Sequence, residues 1–137
     1  MDPAGAVLFD HLVKPTVKIA PKAQSVHHIS ELMLSDKPRF PFIYDDLYKI
    51  LHFRKVITYN ADFDVRLLTQ TCNRYSLPYF DTSWSCAMIQ YSNFCGDWNE
   101  DRGNFKFQAL PSSKHTAAAD CLATLEVIKI MAAAVIE

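Results

Sequence analysis

A chain of 137 residues, half of them hydrophobic and 21% charged, is sized for one domain, residues 1–137, around a single core. At this length it needs neither a disulfide framework nor a structural metal merely to stay folded. Fourteen Lys and Arg against fifteen Asp and Glu leave a net charge of -1, which excludes a protein that coats nucleic acid by bulk charge and makes any such contact local.

In chain order, Ala6 to Val13 reads as a strand, with Val7, Phe9, His11 and Val13 alternating against Leu8 and Asp10 until Pro15 ends the run. Prolines at 15, 21, 38 and 41 make Lys14 to Pro41 a loop-rich connector, in which only Ser25 to Leu34 suits a short helix. Tyr44 to Phe53 is an amphipathic helix with Leu47, Ile50 and Leu51 on the stripe that must face a sheet, and with Asp45 and Asp46 in a first turn whose dipole favours them. Lys55 to Tyr59 is a β-branched and aromatic strand, and Asn60 then caps a helix running from Ala61 to Tyr75. Tyr79 to Asp81 reads as a further strand, followed by a helix capped by Thr82 or Ser83 and ending near Tyr91. Gly96 to Phe107 is polar and irregular, and Thr116 to Ile136, rich in alanine and leucine without internal Pro or Gly, is the plainest helix in the chain. Strands alternating with helices imply an α/β sheet.

Cys72, Cys86, Cys95 and Cys121 are irregularly spaced, with no Cys-x-x-Cys pair and no histidine at zinc-ligand spacing, so they read as buried free thiols. No basic region followed by an apolar run opens the chain, and no apolar stretch reaches membrane-spanning length. The expectation is a cytoplasmic protein.

Asp64 falls in the first turn after the strand, next to Leu67 and Leu68 one turn on, so its carboxylate points along a partly apolar stripe. A buried anion seeks a cation, a metal or helix amides. An ordinary helix-start acid remains the alternative, although Asp62 suits that role better. His115 stands just before the last helix, and Asp120 lies little more than a turn inside it among Ala117, Ala118, Ala119 and Ala123. An aspartate among alanines has no obvious solvating face, which favours a metal partner. A histidine with a near-neutral pKa can take a proton from water. Surface positions for both are the alternative. Two carboxylates and a histidine at element ends suit phosphodiester hydrolysis with Mg²⁺ or Mn²⁺, although two ions normally take three or four carboxylates.

These residues resemble the DEDDh 3'-5' exonucleases, the family of the epsilon subunit of bacterial DNA polymerase III, RNase T and oligoribonuclease. Val56-Ile57-Thr58-Tyr59-Asn60-Ala61-Asp62-Phe63-Asp64, followed by Leu67-Leu68, resembles the second exonuclease motif, and His115-Thr116-Ala117-Ala118-Ala119-Asp120 resembles the third. Val26-His27-His28-Ile29-Ser30, with Phe40 after Pro38, is similar to the loop before the family's first long helix. The resemblance implies a ribonuclease-H-like fold, a mixed five-stranded sheet flanked by helices. It implies that Asp64 and Asp120 are metal-coordinating carboxylates serving two ions in a complete member, and that His115 is the general base. Asn60 and Phe63 would shape the site around the terminal nucleotide, with Tyr59 structural.

The first motif is the departure. The family opens on a central strand bearing Asp-x-Glu, and no such tripeptide occurs here; Asp2 and Asp10, the only acids upstream, are in no setting to replace the pair. The central strand is expected to be missing, leaving sheet edges that invite a strand-donating partner or self-association. Two functions follow: a 3'-5' exonuclease domain, as a fragment or split half acting on a single-stranded 3' end, or a catalytically inactive binding or interaction module keeping that fold. Tyr44, Tyr48, Phe53, Tyr59 and Phe63 are candidates to stack bases. Arg54, Lys55, Arg66, Arg74, Arg102, Lys106 and Lys114 are candidates to meet phosphates, Lys106 and Lys114 above all because they flank the loop to His115.

Overall fold

The computed structural model describes residues 1–111 and 116–134. Five helices run in chain order as α1 (Pro21–His27), α2 (Tyr44–Leu51), α3 (Ala61–Arg74), α4 (Ala87–Cys95) and α5 (Ala117–Ala133). Strands β1 (Lys55–Thr58) and β2 (Ser83–Cys86) flank α3, and β3 (Trp98–Asn99) with β4 (Asn104–Phe105) follows α4. β1 and β2 pair in parallel, Lys55 opposite Ser83 through Thr58 opposite Cys86, and β3 and β4 form a two-residue antiparallel hairpin. A β-α-β crossover of this kind is what strand, helix and strand in succession require, since parallel strands cannot be joined by a tight turn.

Two apolar clusters hold these elements. Phe40, Ile43 and Tyr44 at the head of α2 bury against Cys72 of α3 and against Phe80, with Leu47, Leu51, Leu68 and Tyr75 packed around them. Tyr44 also donates its hydroxyl to the Pro78 carbonyl at 2.8 Å, so the phenol satisfies its polar end while burying its ring. On the other side α4 meets α5 through small side chains, Ala87 and Ser92 against Ala123, Thr124 and Val127, all buried. Small residues at that seam let the two backbones approach closely.

Several expected boundaries move, each for a local reason. Ala6–Val13 forms no strand: among the described residues no neighbouring strand offers it a ladder, and strand hydrogen bonds are made only between elements. The connector helix occupies Pro21–His27 instead of Ser25–Leu34, because Pro21 is pre-set for a first turn and His28, at φ 57°, ends the helix in the left-handed region. Leu32–Leu34 is a separate 3₁₀ turn. α2 stops at Leu51, with Phe53 at φ 56° turning the chain toward β1. The strand expected at Tyr79–Asp81 lies later, at Ser83–Cys86, and its helix begins at Ala87. Phe80 is drawn into the first cluster, while Phe53 N–H bonds the Asp81 carbonyl at 2.7 Å and Ser83 N–H the Arg54 carbonyl at 3.2 Å, which sets the later register. The stretch expected to be irregular holds the β3–β4 hairpin, pinned by the edge-on pair of Trp98 and Phe105. Of the four cysteines, all free, only Cys72 is buried, while Cys95 and Cys121 are exposed.

Candidate active site

The junction from β1 into α3 is made in one residue. Asn60 sits at φ 71° and ψ 59°, a left-handed conformation that asparagine tolerates better than most side chains, and the chain turns there from strand to helix. The expectation that Asn60 caps α3 with its side chain is therefore corrected: it makes no cap hydrogen bond, and its carbonyl accepts the Phe63 N–H at 3.0 Å. Asp62 is exposed, as an ordinary helix-start acid should be, whereas Asp64 is half-buried. Burial pushes the Asp64 carboxyl above the usual aspartate range, and the Thr58 hydroxyl on β1 draws it partly back down. That hydroxyl oxygen is itself buried and finds no partner at good hydrogen-bond geometry. A half-buried carboxylate with no cation at ion-pair distance among the described residues is a site short of a ligand.

Asp120 arrives from α5. Thr116 caps that helix, its hydroxyl accepting the Ala119 N–H at 3.3 Å and its carbonyl the Asp120 N–H at 2.9 Å, which fixes Asp120 in the first turn. Cys121, next in sequence to Asp120, feels the charge of both carboxylates. Its thiol is raised chiefly by burial, lowered by the Met1 amino group, and raised further by the charges of Asp120, Asp64 and Asp10. A cavity of about 40 Å³ beside it is lined by Phe9, Asp10, Ala117, Ala118 and Cys121. The structure thus brings Asp10 to the same end of α5, a placement the sequence reading missed. The alternation of Asp10 against Phe9 gives no sign of it, because the lead-in is not a strand.

Phe63 is half-exposed on α3, with the Arg66 guanidinium over its ring at 5.9 Å and Leu67 open on the same face one turn on. Tyr59 is structural in its contacts: its hydroxyl donates to the Gln108 carbonyl at 2.7 Å, tying the end of β1 to the segment that leads toward residue 112. Tyr44 and Tyr48 belong to the first cluster and are not available as stacking platforms. Lys106 is held in an ion pair with Asp97 at 2.9 Å. Lys114 and His115 lie outside the described residues.

Among the described residues no three His, Cys, Asp or Glu side chains close into a metal-binding cluster. Mg²⁺, however, is commonly held by one or two carboxylates with water and substrate phosphate filling the remaining positions. Asp64 and Asp120, whose charges both act on the Cys121 thiol, are the carboxylates available to one such ion. They do not supply the donors for two.

Residues 5–128 match the exonuclease family of RNase T. The chain belongs to that family. It is 28% identical over 96% of its length to an uncharacterized exonuclease of Escherichia phage 186, of which it covers 76%. It is also 33% identical over 61% of its length to exodeoxyribonuclease 10 of Escherichia coli, covering 36% of that protein. A segment of 59% of the chain is 32% identical to 35% of the DNA polymerase III epsilon subunit of Buchnera aphidicola. The solved structure of exonuclease X in complex with 5'-overhanging duplex DNA superposes with a TM-score of 0.62 at 26% identity, over 90% of this chain and 72% of that one. The chain therefore has the ribonuclease-H-like α/β fold of an exonuclease domain, in a family whose members typically use divalent metal ions. Among the described residues no helix is long and apolar enough to cross a membrane.

Proposed function

We propose that the chain is the larger part of a 3'-5' exonuclease site, hydrolysing the terminal phosphodiester bond at a 3' end. The single observation that carries this is the half-buried, raised carboxyl of Asp64, unpaired with any cation among the described residues, whose charge acts on the same Cys121 thiol as that of Asp120. A bound Mg²⁺ or Mn²⁺ would polarise the scissile phosphate and lower the pKa of a water. Asp64 and Asp120 hold such an ion. Phe63, supported by Arg66 on its other face, stacks against the terminal base, while Asn60 shapes the turn beneath it. His115, next to the helix cap Thr116, accepts the proton of the attacking water, and Lys114 meets the phosphate.

The far edge of β1 carries no strand among the described residues. A strand bearing Asp-x-Glu, supplied by another polypeptide or by a second segment, would pair there and add the missing carboxylates beside Asp64. Without the Asp-x-Glu pair, a binding module of exonuclease fold is the second reading.

The test is release of label from a 3'-labelled single-stranded oligonucleotide with Mg²⁺ or Mn²⁺. This chain should digest it weakly, and a polypeptide carrying the Asp-x-Glu strand should raise the rate. His115→Ala should then lower turnover roughly a hundredfold. Digestion that survives Asp64→Ala and Asp120→Ala overturns the site assignment. Oligonucleotide binding with no digestion under any of these conditions favours the binding module.

A further inference from the structure

Away from the carboxylates, a cavity of about 300 Å³ opens between the 14–18 segment and the 31–35 turn, lined by Lys14, Thr16, Lys18, Glu31, Leu34 and Ser35. Arg74, the last residue of α3, reaches its rim and donates from Nη1 to Thr16 Oγ1 at 2.8 Å. Lys14 donates from Nζ to the Ser35 carbonyl at 2.7 Å, which fixes the ammonium across the opening. Glu31 is the one carboxylate of the lining, and its Oε1 already accepts the Ile19 N–H at 3.2 Å. Among the described residues the lysines held in ion pairs are Lys37, Lys49, Lys106 and Lys129, so Lys14, Lys18 and Arg74 converge on this concavity with no carboxylate at ion-pair distance. In a chain of net charge -1 that concentration is local and complements an anion.

We propose that this cavity seats backbone phosphates of the nucleic-acid substrate away from the cleaved end, an inference that rests on the exonuclease reading. α3 connects the two places. Asp64 lies in its first turn and Arg74 at its end, ten residues on, which separates them by about 15 Å along the helix axis. At roughly 3.4 Å per nucleotide along one strand of a duplex, the cavity meets the backbone about four phosphates from the terminus. A guanidinium with one arm on a hydroxyl keeps its remaining donors for a phosphate, and the two ammonium groups add point charges on either side. Such contacts position a strand without reading its sequence.

The test is fluorescence anisotropy of a labelled twelve-base-pair duplex with a recessed 3' end, titrated with the full chain in chelator so that nothing is cut, at several salt concentrations. Lys18 makes no hydrogen bond or ion pair among the described residues, so Lys18→Gln leaves the folded chain intact. Lys18→Gln and Arg74→Gln should each weaken binding by about three- to tenfold at low salt and lower the slope of log K against log salt by about 0.7–0.9. Lys49→Gln, at an exposed position of α2, should change neither. Wild-type binding with affinity and slope unmoved in both cavity variants overturns the proposal and leaves the exonuclease reading standing. Failure of the wild-type chain to bind the duplex at all also overturns the proposal, whereas the exonuclease reading falls only if the metal-dependent digestion of the single-stranded oligonucleotide fails.

Discussion

Residues 40–111 and 116–134 carry most of the regular structure and nearly every buried side chain, whereas residues 1–39 hold one seven-residue helix and one 3₁₀ turn, with Leu34 their only buried hydrophobic residue. The first region is held by packing and by a parallel ladder. The second is held mainly by bonds between side chains and backbone: Asp2 to Ala4 and Ala6, Lys14 to Ser35, Ile19 to Glu31. The difference teaches where each kind of element gets its stability. A helix closes its own hydrogen bonds, but a strand depends on a neighbour, and Ala6–Val13 has none among the described residues.

Phe40 joins the two regions, packing edge-on to Tyr44 and stacked on Tyr75 at the point where the lead-in meets α2. Phe40→Ala should cost about 3–5 kcal/mol, read as a lower midpoint in urea with the slope unchanged. A loss under about 1 kcal/mol would mean that the first cluster does not depend on the lead-in at all.

Asp64→Asn acts inside the ordered region and has the opposite sign. Because the folded pKa of Asp64 lies above its ordinary value of 3.8, ionisation favours the unfolded chain: the penalty is absent below that value and fully present once pH passes the raised one. At neutral pH the variant should therefore melt roughly 1–3 °C higher than wild type, the gap closing as pH falls toward 4. Added Mg²⁺ should stabilise the wild-type chain and not the variant. A variant that melts lower at neutral pH would mean that Asp64 is already satisfied in the free chain.

How much of this was legible follows the same division. α3 could be read from periodicity and from Asp62 and Asp64 in its first turn, and α5 from a long alanine- and leucine-rich run without Pro or Gly, because those signals are local. The β1–α3 junction was legible in position but not in geometry, since nothing in the sequence says that Asn60 turns the chain through a left-handed conformation in place of capping it. β2 was displaced by a few residues because Phe80 is claimed by a cluster formed with distant Phe40 and Tyr44. Of the site, the assignment of Asp64 and Asp120 to one metal site is what the resemblance of their motifs implies. The arrival of Asp10 at Cys121 was invisible because it depends on how an unpaired lead-in folds back on α5.

The smallest expected effect isolates that lead-in. The Asp2 carboxylate accepts the N–H groups of Ala4 and Ala6 at 2.9 and 2.8 Å, and its carbonyl accepts that of Gly5 at 3.0 Å, closing a turn that directs Val7 to Asp10 toward α5. Asp2→Ala removes the one oxygen, Oδ1, that accepts both side-chain bonds at an exposed site, where water replaces it, so the cost should be about 0.5–1 kcal/mol. It should appear as faster amide exchange at Ala4 and Ala6, with exchange in α3 and α4 unmoved. Were α3 protection to fall with it, the lead-in would be part of the cooperative core and the contrast between the two regions would dissolve. If only the lead-in loosens, Cys121 loses the company of Asp10 and Met1 while Asp64 and Asp120 keep their places, which separates the fold that carries the carboxylates from the segment that merely lies against them.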